Sequence, residues 1–312
     1  MQGRKVFIIV LIVVAVLAVA IIPFLNRIST TSESFSGGED RIVVITLSGT
    51  IQESAAGSFI YGGGISPRLV YSQLKQAADD LSIKGVVLRV DSSGGSIAAS
   101  QEIAAMVRNF EKPVVVSMGD MAASGGYYIS APAQAIVAQP GTMTGSIGVI
   151  STLMNTDGLY EMLGIEVETF KSGEHKDMFS RTLTEEEREI MQEISDVAYD
   201  QFIRDVAADR DLPVESVRRL ATGQLYMGSQ ALELGLVDRL GGLEEAIDYL
   251  AELNGFEKPV RYEFPQPSMF TQLFEFGYRV VAAFEKTALG PEVILLDLLR
   301  EGIAPDIRYQ LR

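Results

Sequence analysis

Ser124 lies in the run Ala122-Ala123-Ser124-Gly125-Gly126-Tyr127-Tyr128, and Lys176 follows in Lys171-Ser172-Gly173-Glu174-His175-Lys176-Asp177. These are the two side chains whose types and settings could cut an amide together. The chain has 312 residues, one histidine (His175) and no cysteine. A cysteine nucleophile and thiolate metal sites are therefore excluded. A Ser-His-Asp triad would have to use His175. A serine activated by a lysine is one of the few remaining mechanisms.

A nucleophilic serine must project from a turn with a backbone N–H beside it. An apolar strand at Pro113 to Met118, then Ala-Ser-Gly-Gly and a helix, supplies that arrangement. The oxyanion would lie near the helix start, where free N–H groups favour negative charge. The same run also reads as a small-residue helix start capped by Ser124. Asp91-Ser92-Ser93-Gly94-Gly95 follows a second apolar strand, and its glycines let the backbone approach a carbonyl from the other side. Many β-to-α turns of this composition are inert. A lysine accepts a proton only when neutral, a form that burial favours. Lys176 and Lys171 compete for that role, and a solvated position is the ordinary fate of either. His175 is a weaker base candidate, because Ser124 has no Gly-x-Ser-x-Gly elbow around it. No His-Glu-x-x-His or Gly-Lys-Ser/Thr pattern occurs, so neither a metal nor another cofactor is expected.

The net charge of −15 argues against nucleic acid as a partner. A hydrophobic content of 47% is enough for a substantial core. Val6 to Leu25 is an apolar run long enough to span a bilayer as one helix. Arg4 and Lys5 before it, with Glu33, Glu39 and Asp40 after it, put the N-terminus in the cytoplasm and the body outside the cell membrane. Ala18-Val19-Ala20 has the form of a cleavage site, but apolar residues continue past it and favour an uncleaved anchor over a cleaved signal. The expected organisation is an anchor at 1–28, a linker at 29–40, a catalytic domain at 41–255 and an extension at 256–312.

Within the body, strands are expected at Arg41 to Ile51, Gly85 to Val90, Pro113 to Met118, Ala135 to Ala138, Ile147 to Ser151 and Val167 to Phe170. Helices are expected at Leu69 to Leu81, Ile97 to Phe110 and Asp157 to Leu163, with a long one opening at the Thr184 capping box and ending near Asp209. Shorter ones follow at Pro213 to Ala221, Ser229 to Leu234 and Leu243 to Asn254. Gln52 to Ser66 is too glycine-rich for a regular element. Strands alternating with helices imply parallel βαβ units in an α/β fold. Met269 to Phe284 carries a helical apolar stripe suited to docking on the body or a neighbouring subunit.

The anchor, the Ser-Gly-Gly turn, Ala-Ser-Gly-Gly-Tyr-Tyr, Thr144-Gly145-Ser146-Ile147-Gly148-Val149, Lys-Ser-Gly-x-x-Lys-Asp and Gly235-Leu236-Val237-Asp238 occur in that order. Together they resemble the bacterial signal peptide peptidases of serine peptidase family S49. The resemblance implies a fold similar to the Clp protease and crotonase superfamily and a Ser/Lys dyad. Residue by residue, it implies Ser124 as nucleophile, Lys176 as general base and Ser146 as the hydroxyl that orients the lysine. It assigns the oxyanion hole to the N–H groups of Gly94 and Gly125. It also implies a homo-oligomer on the outer membrane face, with the dyad completed across subunits, acting on signal peptide remnants and other short unfolded segments. The family usually has Asn-Ser-Pro-Gly-Gly where this chain has Asp91-Ser92-Ser93-Gly94-Gly95, so a rigid φ is lost before the first glycine. Alternatives are a non-catalytic membrane scaffold of the same fold, a crotonase-like acyl-CoA enzyme, and a stomatin-processing peptidase.

Overall fold

The structure is a computed structural model and describes residues 40–53, 64–257 and 259–264. The expected anchor at Val6 to Leu25 and the stripe at Met269 to Phe284 lie outside the described residues. Among the described residues no helix is long and apolar enough to cross a membrane.

Side-chain alternation along three strands creates two cores. On β1 (Arg41–Ser48), Val43, Ile45 and Leu47 join one core while Ile42 and Val44 join the other. On β2 (Ile83–Ser92), Val86, Leu88 and Val90 take the first side and Val87 the second. On β3 (Val114–Ala123), Val114, Val116 and Met118 take the first side and Val115 the second. Strands apolar on both faces belong in a parallel sheet covered on both sides. Helices α1 (Pro67–Asp79) and α2 (Ile97–Arg108) cover the first face, burying Val70, Leu74, Ile103 and Val107. The short α3 (Gly125–Ser130), directly after β3, is buried throughout.

Further along lie β4 (Ala135–Ala138), β5 (Met143–Gly145), α4 (Asp157–Leu163), α5 (Glu185–Asp209), α6 (Val214–Leu220), β6 (Leu225–Met227), α7 (Gly228–Glu233) and β7 (Arg239–Leu240). The chain then forms α8 (Leu243–Asn254) and β8 (Val260–Glu263). Helix α5 adds Phe202, Ile203 and Val206 to the first core. Helix α8 lays Ala246, Ile247, Leu250 and Ala251 on the second.

The main sheet order is β6-β5-β3-β2-β1-β8. Its pairs are parallel except β5 with β6. The sheet forks at β3. Val115 to Ser117 pair with β4, whereas Met121 to Ala123 pair with β5. The β2–β3 register slips between Val90 and Ser92 at the same level. Side chains take up backbone groups at this fork. Arg89 donates to the Met118 carbonyl at 2.7 Å, Thr142 Oγ1 donates to the Gly119 carbonyl at 2.8 Å, and Asp91 Oδ1 accepts the Met121 N–H at 3.1 Å. The fork delivers the end of β3, and so Ser124, to the sheet edge beside β5.

Two expected strands do not form. Residues 147–156 and 165–170 are irregular, and Val167 and Phe170 are exposed. Among the described residues, apolar β-branched character there has no neighbouring strand to pair with. The strand of that region falls earlier, at Met143–Gly145. Beyond Gly255, Val260–Glu263 pairs with β1, so the sheet takes in the start of the expected extension.

Leu250 is fully buried, and a Cβ added at Gly85 would meet its Cδ2 at 3.0 Å, so helix and strand touch there without spare space. Leu250→Ala is expected to destabilise the fold by about 2–5 kcal/mol, read as a lower denaturant midpoint with an unchanged m-value. Because α8 lies on the face remote from Ser124, turnover per folded molecule stays at the parent level.

Candidate active site

Ser124 caps α3 in a backbone conformation that non-glycine residues avoid, φ 52° and ψ −121°. Two bonds fix it there. Its N–H donates to the Gly145 carbonyl of β5 at 2.8 Å, and its carbonyl accepts the Tyr128 N–H at 2.9 Å. The side chain is half-buried. A serine forced into this turn is held where neither strand nor helix can absorb its side chain.

The turn after β2 meets it backbone to backbone. A Cβ on Gly94 would lie 2.7 Å from the Gly125 nitrogen and 2.9 Å from Ser124 Cβ. A Cβ on Gly125 would lie 2.5 Å from Ser100 Oγ and 3.2 Å from the Gly95 nitrogen. Gly94 also has φ 103°, which favours glycine on its own. The two turns can approach this closely only because side chains are missing from both.

The direction of each N–H is informative. Gly94 donates to Ser92 Oγ at 3.1 Å. Gly95 bridges Ile51 in parallel fashion through its two neighbours: the Ile51 N–H donates to the Gly94 carbonyl at 2.9 Å and the Ser96 N–H to the Ile51 carbonyl at 2.8 Å. In that pattern the N–H of Gly95 itself points away from Ile51. Among the described residues, the N–H groups of Gly95 and Gly125 have no acceptor. The expected donor Gly94 is thus already engaged, while its neighbour Gly95 is open. Ser92, 3% exposed, does part of what a proline before Gly94 would do, by tying the loop to itself.

A pocket of about 520 Å³, its open mouth included, lies against Ser124, Gly95 and Gly125. Its other walls include Ile97, Gln101, Tyr128, Ile150 and Phe202. Tyr128 and Phe202 meet edge to face at 4.9 Å, and the Tyr128 hydroxyl donates to Asp205. Burial, with Asp205 beside it, pushes the Tyr128 phenol well above its ordinary range, so it stays a neutral donor.

Ser146 follows Gly145, whose carbonyl holds Ser124, and its own N–H donates to the Gln224 carbonyl at 2.8 Å. It too has a positive φ, 49°, and is half-buried. The structure therefore sets Ser146 beside the Ser124 turn. It does not bring Lys176 there. Lys176 is exposed and is not among the pocket walls, and its side chain has no partner among the described residues. Lys171 is tied instead to Asp177 Oδ1 at 2.7 Å and to the Glu174 carbonyl at 2.9 Å. His175 faces Glu187, Nδ1 to Oε1 at 3.3 Å, and also lies outside the pocket walls.

Lys176 belongs to a segment that leaves the body after Ile150. From Ser151 to Leu183 the only buried residue is Met178. Met154, Met162, Phe170 and Phe179 are all exposed there, Phe170 to 87%. Among the described residues no cluster of three or more His, Cys, Asp or Glu could hold a metal ion.

Comparison with known proteins identifies the family. The model of peptidase family S49 matches residues 107–257. A putative signal peptide peptidase SppA of Enterococcus faecium is 39% identical over 230 residues, covering 72% of this chain and 67% of that protein. A putative protease of Methanocaldococcus jannaschii is 34% identical over 307 residues, covering 93% of this chain and 97% of that protein. The chain belongs to peptidase family S49 and is a serine protease. Among solved structures, a membrane-bound stomatin-specific protease aligns over 73% of this chain and 99% of its own, at 14% identity and a TM-score of 0.49.

Three parts of the site have little signal in the sequence. The open N–H of Gly95 depends on which side of the loop Ile51 occupies. The pocket walls on α5 come from a helix some 75 residues after Ser124, roughly, and only the three-dimensional packing joins them. The ties around Lys176 pair residues whose charges look like an ordinary solvated surface.

A methyl at position 94 must push the two turns apart. Gly94→Ala is expected to lower kcat by about 100-fold or more, the order seen when an oxyanion donor is lost. Circular dichroism should remain near that of the parent, and parent-level kcat in the variant would mean that the close approach of the turns is irrelevant to turnover.

Proposed function

We propose that this chain is a membrane-anchored serine endopeptidase that degrades signal peptide remnants and other short unfolded segments with a Ser124/Lys176 dyad. One observation carries the reading: a strained, half-buried serine sits over a pocket exactly where two glycine turns leave two N–H groups open. The family membership and the signal peptide peptidase among the relatives support the reaction class and substrate. The forked, mostly parallel sheet is in keeping with a Clp protease/crotonase-like fold.

In this mechanism neutral Lys176 takes the Ser124 proton as Oγ attacks the peptide carbonyl. The oxyanion is received by the N–H groups of Gly95 and Gly125, with Gly94 shaping the loop rather than donating. Lys176 passes its proton to the leaving amine, and water then hydrolyses the acyl-enzyme with Lys176 again as base. Ser146 orients the lysine. Ile97, Ile150 and Phe202 in the pocket favour a small or apolar side chain at the cleaved residue, which the apolar core of a signal peptide provides.

The base comes from a neighbouring copy. A lysine on an exposed arm rich in bare Met and Phe side chains is arranged to be buried by another subunit. Val6 to Leu25 anchors the assembly, with the N-terminus cytoplasmic and the catalytic body outside.

Cleavage of a synthetic signal peptide by the full chain in detergent tests the assignment. Ser124→Ala and Lys176→Ala are each expected to reduce kcat by roughly a thousandfold or more in folded, assembled protein. Since only a neutral lysine accepts the serine proton, parent activity should climb towards alkaline pH, and an acid optimum would contradict the dyad. A folded and assembled parent without turnover would favour the scaffold reading. If Lys176→Ala alone stays active, the base is elsewhere, with His175 the next to replace.

A further inference from the structure

Lys176 has no helix or strand to hold it. It sits in a series of tight turns closed by three backbone bonds, Lys176 N–H to the Gly173 carbonyl at 3.4 Å, Met178 to His175 at 3.2 Å and Ser180 to Asp177 at 2.9 Å. The first of these is long for a hydrogen bond. Backbone bonds alone would leave such a turn loose, and a base that must meet a serine on another copy cannot be loose.

Side chains supply the rigidity. The Arg181 guanidinium lies between two carboxylates and grips both. Its Nε and Nη2 donate to Asp177 at 3.0 Å each, and its Nη1 and Nη2 donate to Glu187 at 2.8 and 2.7 Å. Glu187 is the third residue of α5 and closes the Thr184 capping box, with its side chain only 1% exposed. Asp177 is the residue after Lys176, and Lys171 grips it as well. On the other flank, His175 faces Glu187, with Glu186 at 4.0 Å. Both sequence neighbours of Lys176 are thereby tied to the start of α5. Arg181 and Lys171 hold the Asp177 carboxyl down to about 2, so this grip stays charged throughout the neutral and alkaline range. Arg181, with Thr184 beside it, holds the Glu187 carboxyl far below its usual range for the same reason.

We propose that Arg181 is the positioning residue for the base: by pinning Asp177 to Glu187 it fixes the turn that presents Lys176 to the neighbouring active site. This inference rests on the dyad reading above. The guanidinium is needed for its shape, because two in-plane forks match two carboxylates, and an ammonium cannot make both.

The test uses the full chain, assembled in detergent, with signal peptide kinetics on the parent and on Lys176→Ala, Arg181→Ala and Arg181→Lys. With Lys176→Ala inactive, Arg181→Ala is expected to lose on the order of 100-fold in kcat while KM stays within about twofold. Arg181→Lys should match the parent in assembly and melting temperature yet remain low in kcat. A role limited to neutralising charge or stabilising the fold predicts the reverse, kcat restored by lysine along with stability. Parent-level kcat in both Arg181 variants, or a change in KM alone, overturns the proposal and leaves the dyad standing. An active Lys176→Ala overturns the dyad and the positioning role together. If Arg181→Ala does not assemble, Asp177→Asn cuts the same link from the lysine side. A lowered kcat there supports the proposal, and parent-level kcat overturns it.

Discussion

Everything at this site depends on two backbone segments touching. The loop through Gly94 and Gly95 and the turn through Ser124 and Gly125 approach so closely that a Cβ on Gly94 would lie 2.7 Å from the Gly125 nitrogen and one on Gly125 would lie 3.2 Å from the Gly95 nitrogen. Such contact demands glycine and demands that both strand ends be aimed at one point. Adjacent parallel strands β2 and β3 do the aiming, and the fork at β3 tips its last residues towards β5. The bonds from Arg89, Thr142 and Asp91 to backbone groups at the fork make the bend stable, since none of those groups can be left buried without a partner. The backbone strain at Ser124 is sustained by this surrounding frame, as such strain at functional sites generally is.

The second half of the proposed dyad is built by different means. The body is held by two apolar cores, whereas the arm carrying Lys176 buries almost nothing and relies on charge-assisted hydrogen bonds to stay in shape. Under the proposed dyad, separating a rigid nucleophile from a lysine on an exposed arm would make activity depend on assembly. The α5 helix belongs to both halves: Glu187 at its start steadies the arm, and Phe202 further along walls the pocket.

Much of this was legible in the chain. Apolar runs at Gly85 to Val90 and Pro113 to Met118 marked β2 and β3, and the glycines after each marked the two turns, because few residues other than glycine suit such positions. The Thr184 capping box located the start of α5 to the residue. Val167 to Phe170 misled because β-branched and apolar character says that a segment suits a pleated surface, not that a partner strand exists. The resemblance pointed to Gly94, and the sequence does not show that its N–H turns to the Ser92 hydroxyl while the Ile51 bridge leaves that of Gly95 facing away. Lys171 and Lys176 were equally plausible from composition. Only the resemblance separated them; in the folded arm the first is paired and the second is exposed.

The central claim is that one catalytic centre is shared by two copies, serine from one and lysine from the next. The most direct measurement is the activity of mixed assemblies prepared by co-expressing differently tagged Ser124→Ala and Lys176→Ala chains and purifying through both tags. Each variant alone is inactive in this account. In a random equal mixture, roughly a quarter of the sites pair an intact serine with an intact neighbouring lysine, so about a quarter of the parent activity should return. Mixed assemblies of the correct size that remain inactive would contradict the account and require each chain to complete its own dyad.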